Sequence, residues 1–167
     1  MDQENIRSEQ LGNIANLLRL KKESIAVAES VTAGLLQYSF STAKDASQFF
    51  QGGITAFNLG QKTKHLNVEP IQAEGCNCVS EEVAQQMALG VALLFKSRWG
   101  IGVTGYATAV PESENKVYCF YAISKGNKIM RTEKISTETY EGESAQHHFV
   151  EKIILAFLRT IQQKIIS

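Results

Sequence analysis

The sequence has no surplus of charge of either sign: across 167 residues, seventeen lysines and arginines balance seventeen aspartates and glutamates. DNA and anionic membrane surfaces recruit proteins through excess positive charge, so both are disfavoured as partners. Long apolar runs are missing as well, and none approaches the roughly 18 residues that a membrane span requires. The opening segment, MDQENIRSEQ, lacks the basic-then-apolar order of a secretory leader. The expectation is a cytoplasmic protein without membrane contact that binds a small molecule. Cysteine is scarce: Cys76, Cys78 and Cys119 are all there is. The number is odd, and one Cys-x-Cys without a second Cys or His pair does not make a structural zinc site. Reduced, partly buried thiols are expected, with no metal and no cofactor. Repeats and low-complexity linkers are absent too. A chain of this length can bury about 70% of the surface its unfolded form exposes, so a single domain over residues 1–167 is expected.

What is present is alternation. SEQLGNIANLLRLKK has apolar residues at Leu11, Ile14, Leu17 and Leu18, the spacing of one helix face. SIAVAE is a short apolar run, read as a strand, and SVTAGLLQYSF returns to helical spacing. FFQGGITAF reads as a second strand with a glycine irregularity. SEEVAQQMALGVALLFKS predicts a long helix with Ser80 as N-cap and two glutamates in its first turn. WGIGVTG predicts a buried strand, and KVYCFYAISKGNKIMRTEKIST a hairpin turning at Gly126 and Asn127. A last helix, AQHHFVEKIILAFLRTIQQKII, carries its stripe at Phe149, Ile153, Ala156, Phe157 and Ile161. Helices alternating with strands and one late hairpin imply an α/β domain of three layers, α/β/α, around a mixed, mostly parallel sheet of about five strands.

Ligands in such sheets sit outside the carboxyl ends of the strands. Small and hydroxyl residues gather in two turns of that kind, AESVTAG and VTGYATA. A strand ending in Glu29 and Ser30 and turning through Thr32, Ala33 and Gly34 into a helix exposes backbone N–H groups that can hold a phosphate. The same residues serve equally as a capped helix start that lets helix and sheet pack closely. A third stretch, SQFFQGGITAFNLGQK, begins at Ser47 and ends at Lys62. A serine and a lysine at the two ends of a strand are ordinarily a turn residue and a solvated one. An extended segment holds them apart, and only a bend at Gly52 and Gly53 brings them together.

AESVTAGLLQYSF, DASQFFQGGITAFNLGQKTKHLNV, VSEEVAQQMALG and GIGVTG, in this order, resemble the C-terminal domain of the CinA family, the nicotinamide mononucleotide amidohydrolases. The resemblance runs from about residue 8 to residue 160, and the chain looks like a stand-alone form of the domain. It implies hydrolysis of the carboxamide of a mononucleotide, to nicotinic acid mononucleotide and ammonia, by a Ser-Lys dyad. The positions matched to the dyad are Ser47 and Lys62, with Thr104 keeping a hydroxyl at the third strand. A lysine acts as base only where burial or cationic neighbours lower its pKa, and Phe49, Phe50, Phe57 and Leu59 are candidates for that burial. Glu29, Ser30, Thr32, Gly34, Phe57, Gly105, Tyr106, Ser144 and His148 are the expected substrate-binding positions.

The sequence departs from the family pattern near this chemistry. Phe57 stands where the family has a tyrosine, Val31 and Ala33 replace a cysteine and a glycine, and Ser144 and His148 stand where arginines suited to a phosphate are usual. Those departures leave a second class in play, a non-catalytic relative that binds a nucleotide or a protein partner. Apolar positions left exposed on the long helices would suit a homo-oligomer.

Overall fold

The computed structural model describes residues 2–163. Five strands form one sheet in the order β2-β1-β3-β4-β5: β1 Ile25–Glu29, β2 Phe50–Thr55, β3 Trp99–Tyr106, β4 Val117–Lys125 and β5 Lys128–Thr137. The β1–β2 and β1–β3 pairings are parallel, and the β3–β4 and β4–β5 pairings antiparallel. Only β4 therefore runs against the other four, and the sheet is mixed as expected. Helices α1 (Gln3–Lys21), α2 (Leu35–Ser41) and α6 (Glu143–Gln163) cover one face, while α3 (Leu59–Leu66), α4 (Pro70–Gly75) and α5 (Glu81–Leu94) cover the other. The expected end of the last helix, beyond residue 163, lies outside the described residues. None of the described helices is long and apolar enough to cross a membrane.

Two apolar layers result. On the first face Leu11, Ile14 and Leu18 of α1 meet Phe149, Ile153, Phe157 and Ile161 of α6 over Val27, Ile101 and Ile123 of the sheet, all fully or nearly fully buried. On the second, Val83, Met87 and Val91 of α5 close over Ala26 and Ala28 together with Leu66 of α3. Strand β1 lies in the centre and is buried on both sides, which is why it reads as a continuous apolar run rather than an alternating one.

Local signals account for the element boundaries. Ser80 caps α5 by accepting the Val83 N–H at 3.1 Å, and Gly126 turns the β4–β5 hairpin at φ 60°. The glycine irregularity is a bulge: Ile25 pairs with Phe50 but Ala26 with Gly52, and Gly52 sits at φ 119°. Helix α2 is shorter than its apolar spacing suggests, because residues 30–34 form a turn. Helices α3 and α4 have no counterpart in the sequence reading, and α3 matters most for the site. Its N-cap is Asn58, whose side chain accepts the Gln61 N–H at 3.0 Å. It is seated on α5 at Gly90, where an added Cβ would fall 2.0 Å from the Leu66 carbonyl oxygen.

Candidate active site

The first and third strands flank the point where strand order reverses, β2 lying on one side of β1 and β3 on the other. A parallel sheet opens a crevice there, at its carboxyl edge. Here the crevice is a cleft of about 500 Å³ bounded by Ser30 and Val31 after β1, Phe57 to Leu59 after β2, and Thr104 to Thr108 at the end of β3. Ser30 is fixed between the strand ends. Its N–H donates to the Val103 carbonyl at 3.1 Å, and the preceding Glu29 carbonyl accepts from Ala56 at 2.9 Å.

Into this cleft α3 sends Lys62, one turn from its capped start. The side chain is 1% exposed, and its Nζ lies 2.9 Å from Ser30 Oγ. Lys62 forms no ion pair with a carboxylate among the described residues. Burial consequently drives its pKa below the ordinary lysine value, opposed only by the Cys78 thiol. That thiol is itself pushed up by burial, so at neutral pH it is uncharged and gives little opposition. A buried amine whose proton is loosened by burial, in contact with a serine hydroxyl, is an arrangement that can serve as base and nucleophile.

The turn after β1 is organised by Glu29. Its fully buried carboxylate accepts four bonds: Thr32 Oγ1 at 2.7 Å and the Leu36 N–H at 2.7 Å on one oxygen, the Gln37 N–H at 3.0 Å and Gln37 Nε2 at 2.9 Å on the other. Ala33 is held at φ 50° and Gly34 at φ 104°. The N–H groups of Ala33 and Leu35 go to carbonyls within the turn. Those of Val31 and Thr32, the two that follow Ser30, take no acceptor among the described residues.

The structure does not bring Ser47 to Lys62. Ser47 is exposed, in a 3₁₀ turn at the amino end of β2, whereas Lys62 follows its carboxyl end. The six-residue strand between them spans roughly 17 Å at about 3.3 Å per residue, and the bulge at Gly52 bends the strand without reversing it. The serine in contact with the lysine is Ser30. Phe49 and Phe50 pack in the opposite layer and do not bury Lys62, while Phe57 and Leu59 do line the cleft. Thr104, buried at the end of β3, donates its hydroxyl to the Cys78 carbonyl at 2.7 Å, tying the loop after α4 to the cleft wall. Gly105 and Tyr106 line the cleft, and Tyr106 Oη accepts from Asn77 Nδ2 at 2.9 Å.

Other expected contacts are not made. Glu29 is spent on its own turn, and Thr32 and Gly34 border a separate shallow groove shared with His147. Ser144 is exposed and bonds the backbone of Glu141, and His148 stacks on Tyr140 with ring centres 4.9 Å apart. The residue of α6 that reaches the cleft is Gln146, whose Nε2 donates to the Val31 carbonyl at 2.8 Å. Gln146, Asn58 and Asn77 escaped the sequence reading, and Cys78 entered it only as a reduced, partly buried thiol. A signal for α3 was present: Leu59, Lys62 and Leu66 share one helix face behind an Asn N-cap, which puts a lysine on an apolar stripe.

Comparison with known proteins agrees with this architecture. A family model described as the CinA C-terminal domain matches residues 8–165. A CinA-like protein of Picosynechococcus sp. is 45% identical over 94 residues, 56% of this chain and 22% of its own. One of Thermosynechococcus vestitus is 35% identical over 129 residues, 75% of this chain and 31% of its own. The chain thus spans about a third or less of the length of these curated relatives. Among solved structures, a competence-damaged protein (CinA) superfamily protein of Klebsiella pneumoniae superposes with a TM-score of 0.87 at 22% identity, covering 94% of this chain and 98% of the other. One from Escherichia coli gives 0.82 at 21%, covering 98% and 92%. The fold is shared with these structures, and by the match over nearly all its residues the chain belongs to the family of the CinA C-terminal domain.

Proposed function

We propose that the protein is an amide hydrolase in which Ser30 is the nucleophile and Lys62 its base. The observation that carries the reading is the contact of a buried lysine, without a carboxylate partner, with a serine hydroxyl at 2.9 Å. In this reading neutral Lys62 takes the proton of Ser30 as Oγ bonds to the carboxamide carbon. The carbonyl oxygen becomes an oxyanion, and the uncommitted N–H groups of Val31 and Thr32 are the donors nearest in sequence to receive it. The ammonium of Lys62 then gives its proton to the departing nitrogen, and ammonia leaves as the C–N bond breaks. Water, deprotonated by the same amine, hydrolyses the acyl-serine to the acid and frees Ser30. Asn58, Asn77 and Gln146 are the side-chain amides that line the cleft and can orient a substrate carboxamide. The cleft volume of about 500 Å³ is within the range of small-ligand sites.

Ammonia release from nicotinamide mononucleotide, nicotinamide riboside and simple carboxamides tests the reading. Ser30→Ala should lower kcat by roughly 10³-fold or more, and Ser47→Ala should leave it unchanged. Loss of activity in the Ser47 variant with activity kept in the Ser30 variant would refute the assignment. One feature favours the non-catalytic alternative: Phe57, at the cleft edge and 72% exposed, offers no hydroxyl for proton transfer. Binding of a carboxamide without any ammonia release would select that alternative.

A further inference from the structure

Two thiols in the turn after α4 have no part in the amide-hydrolase chemistry. Cys76 and Cys78 stand one residue apart there, both half-buried and both free. Residues two apart in a turn fall within the roughly 4.4–6.8 Å of Cα separation that a disulfide spans. Local bonds gather the pair around one carbonyl: Ala73 O accepts the Cys76 thiol at 3.4 Å and the Cys78 N–H at 2.7 Å. The thiols are near enough that Cys76 acts on the proton affinity of Cys78. Cys119 is remote from them, fully buried in the other core layer.

The turn is strained and tied to the cleft. Asn77 and Cys78 hold φ 52° and 61°, the left-handed region, which asparagine tolerates and cysteine seldom enters. Among the described residues that line the cleft are Asn77 and Cys78, but not Cys76. The Cys78 carbonyl takes the Thr104 hydroxyl at 2.7 Å, and Asn77 Nδ2 donates to Tyr106 Oη at 2.9 Å. A change of backbone at residues 76–78 therefore reaches two cleft residues, each through a single hydrogen bond.

We propose that Cys76 and Cys78 form a reversible disulfide, and that closing it releases the ties to Thr104 and Tyr106 and loosens the cleft wall. The oxidant is a small disulfide of the oxidised-glutathione class. One cysteine thiolate attacks it, forming a mixed disulfide and expelling one glutathione thiolate; the second cysteine thiolate then attacks the protein sulfur of that bond and expels the other. Two protein thiols are oxidised, and one oxidant disulfide is reduced to two thiols. To close the bond, Cys76 leaves the carbonyls of Gln72 and Ala73, and the Cys78 sulfur swings toward it. Bridging residues only two apart closes a small ring in an accessible turn, which favours a readily reduced bond over a permanent staple. The switch follows from where the turn sits and does not depend on the chemistry of Ser30 and Lys62.

The test equilibrates the unaltered protein with glutathione buffers of rising oxidised fraction, alkylates the remaining thiols, and reads peptide masses, hydrogen exchange and the nuclear magnetic resonance signal of the Tyr106 ring. The peptide holding Cys76 and Cys78 should lose two hydrogens and escape alkylation, and dithiothreitol should reverse both. In the oxidised protein the Cys78 and Val79 amides, now bonded to Ala73 and Cys76, should exchange about tenfold faster or more, and the Tyr106 signal should shift. Stable glutathione adducts in place of the internal bond, a bond formed only after unfolding in urea, or a bond that leaves exchange and the Tyr106 signal unchanged would each overturn the proposal. So would the same loss of two hydrogens in Cys76→Ser, which would assign the bond to Cys78 and Cys119. Ammonia release, scored separately, should fall about tenfold on oxidation, within the usual range of coupling between sites, and return on reduction. Its absence in both states would refute the amide-hydrolase reading, while masses and exchange still decide the switch.

Discussion

Replacing Lys62 by methionine should abolish activity and at the same time stabilise the fold. Methionine has nearly the length of the lysine stem and fills the same space beside Leu66 and Leu59 without a charge. Relief of a buried ammonium is worth roughly 1–4 kcal/mol by analogy with apolar replacement of buried charges, and loss of the bond to Ser30 Oγ costs about 1 kcal/mol. The net is about 0–3 kcal/mol in favour of the variant, or a Tm higher by up to roughly 10 °C, at ~2–4 °C per kcal/mol for a domain of this size. The sign of the pH dependence follows from linkage. Burial lowers the folded-state pKa of Lys62, so between that value and the ordinary ~10.4 the unfolded chain binds more protons than the folded one. Stability of the unaltered protein therefore rises with pH through that window, and the advantage of the methionine variant is largest below it and shrinks across it. Thermal or urea unfolding of both proteins over neutral to alkaline pH, beside ammonia release, measures all of this. A variant less stable than the parent by more than about 1 kcal/mol, with a difference that does not change with pH, would refute the picture of an unpaired, buried amine.

Two further outcomes are expected. Ala33, at φ 50°, is strained by about 1–2 kcal/mol in a left-handed conformation, of which glycine's extra freedom in the unfolded chain would return about 0.5–1 kcal/mol. Ala33→Gly should accordingly stabilise by roughly 0.5–1 kcal/mol in urea unfolding without altering the Ser30–Lys62 contact; a destabilised variant would show that the methyl group packs better than the strain costs. Phe57→Tyr returns a hydroxyl to the cleft edge and should raise kcat by about tenfold or more with little change in KM, the pattern of a bond made mainly in the transition state. A change in KM alone would assign residue 57 to substrate binding.

The sequence by itself determined the layers of this protein, because each layer is written in short-range periodicity. The unbroken apolar run of β1, the stripe from Phe149 to Ile161 and the Ser80 cap each follow from neighbours three or four residues away or from a buried central strand, and each forms as expected. The turn at AESVTAG was legible as a candidate site because it lies at the carboxyl end of the first strand. Whether that turn held a phosphate or capped a helix was not legible. That depended on Glu29 folding back to take the N–H groups of Leu36 and Gln37, a contact that nothing in the spacing requires.

Only the tertiary structure decided the pairing at the centre of the site. Ser47 and Lys62 are near in sequence but separated by the length of β2, whereas Ser30 and Lys62 are 32 residues apart and meet because β1 and β2 run parallel. Parallel pairing puts the carboxyl ends of both strands on one edge, so Ser30, the residue that follows β1, faces the helix that follows β2. The depth of Lys62 is set from farther away still, by α5, which allows α3 to seat against Gly90. A lysine's burial is a property of the elements packed around it. Residues 47–62 carry no trace of α5, so they cannot state whether their last residue is a solvated cation or an amine ready to act as a base.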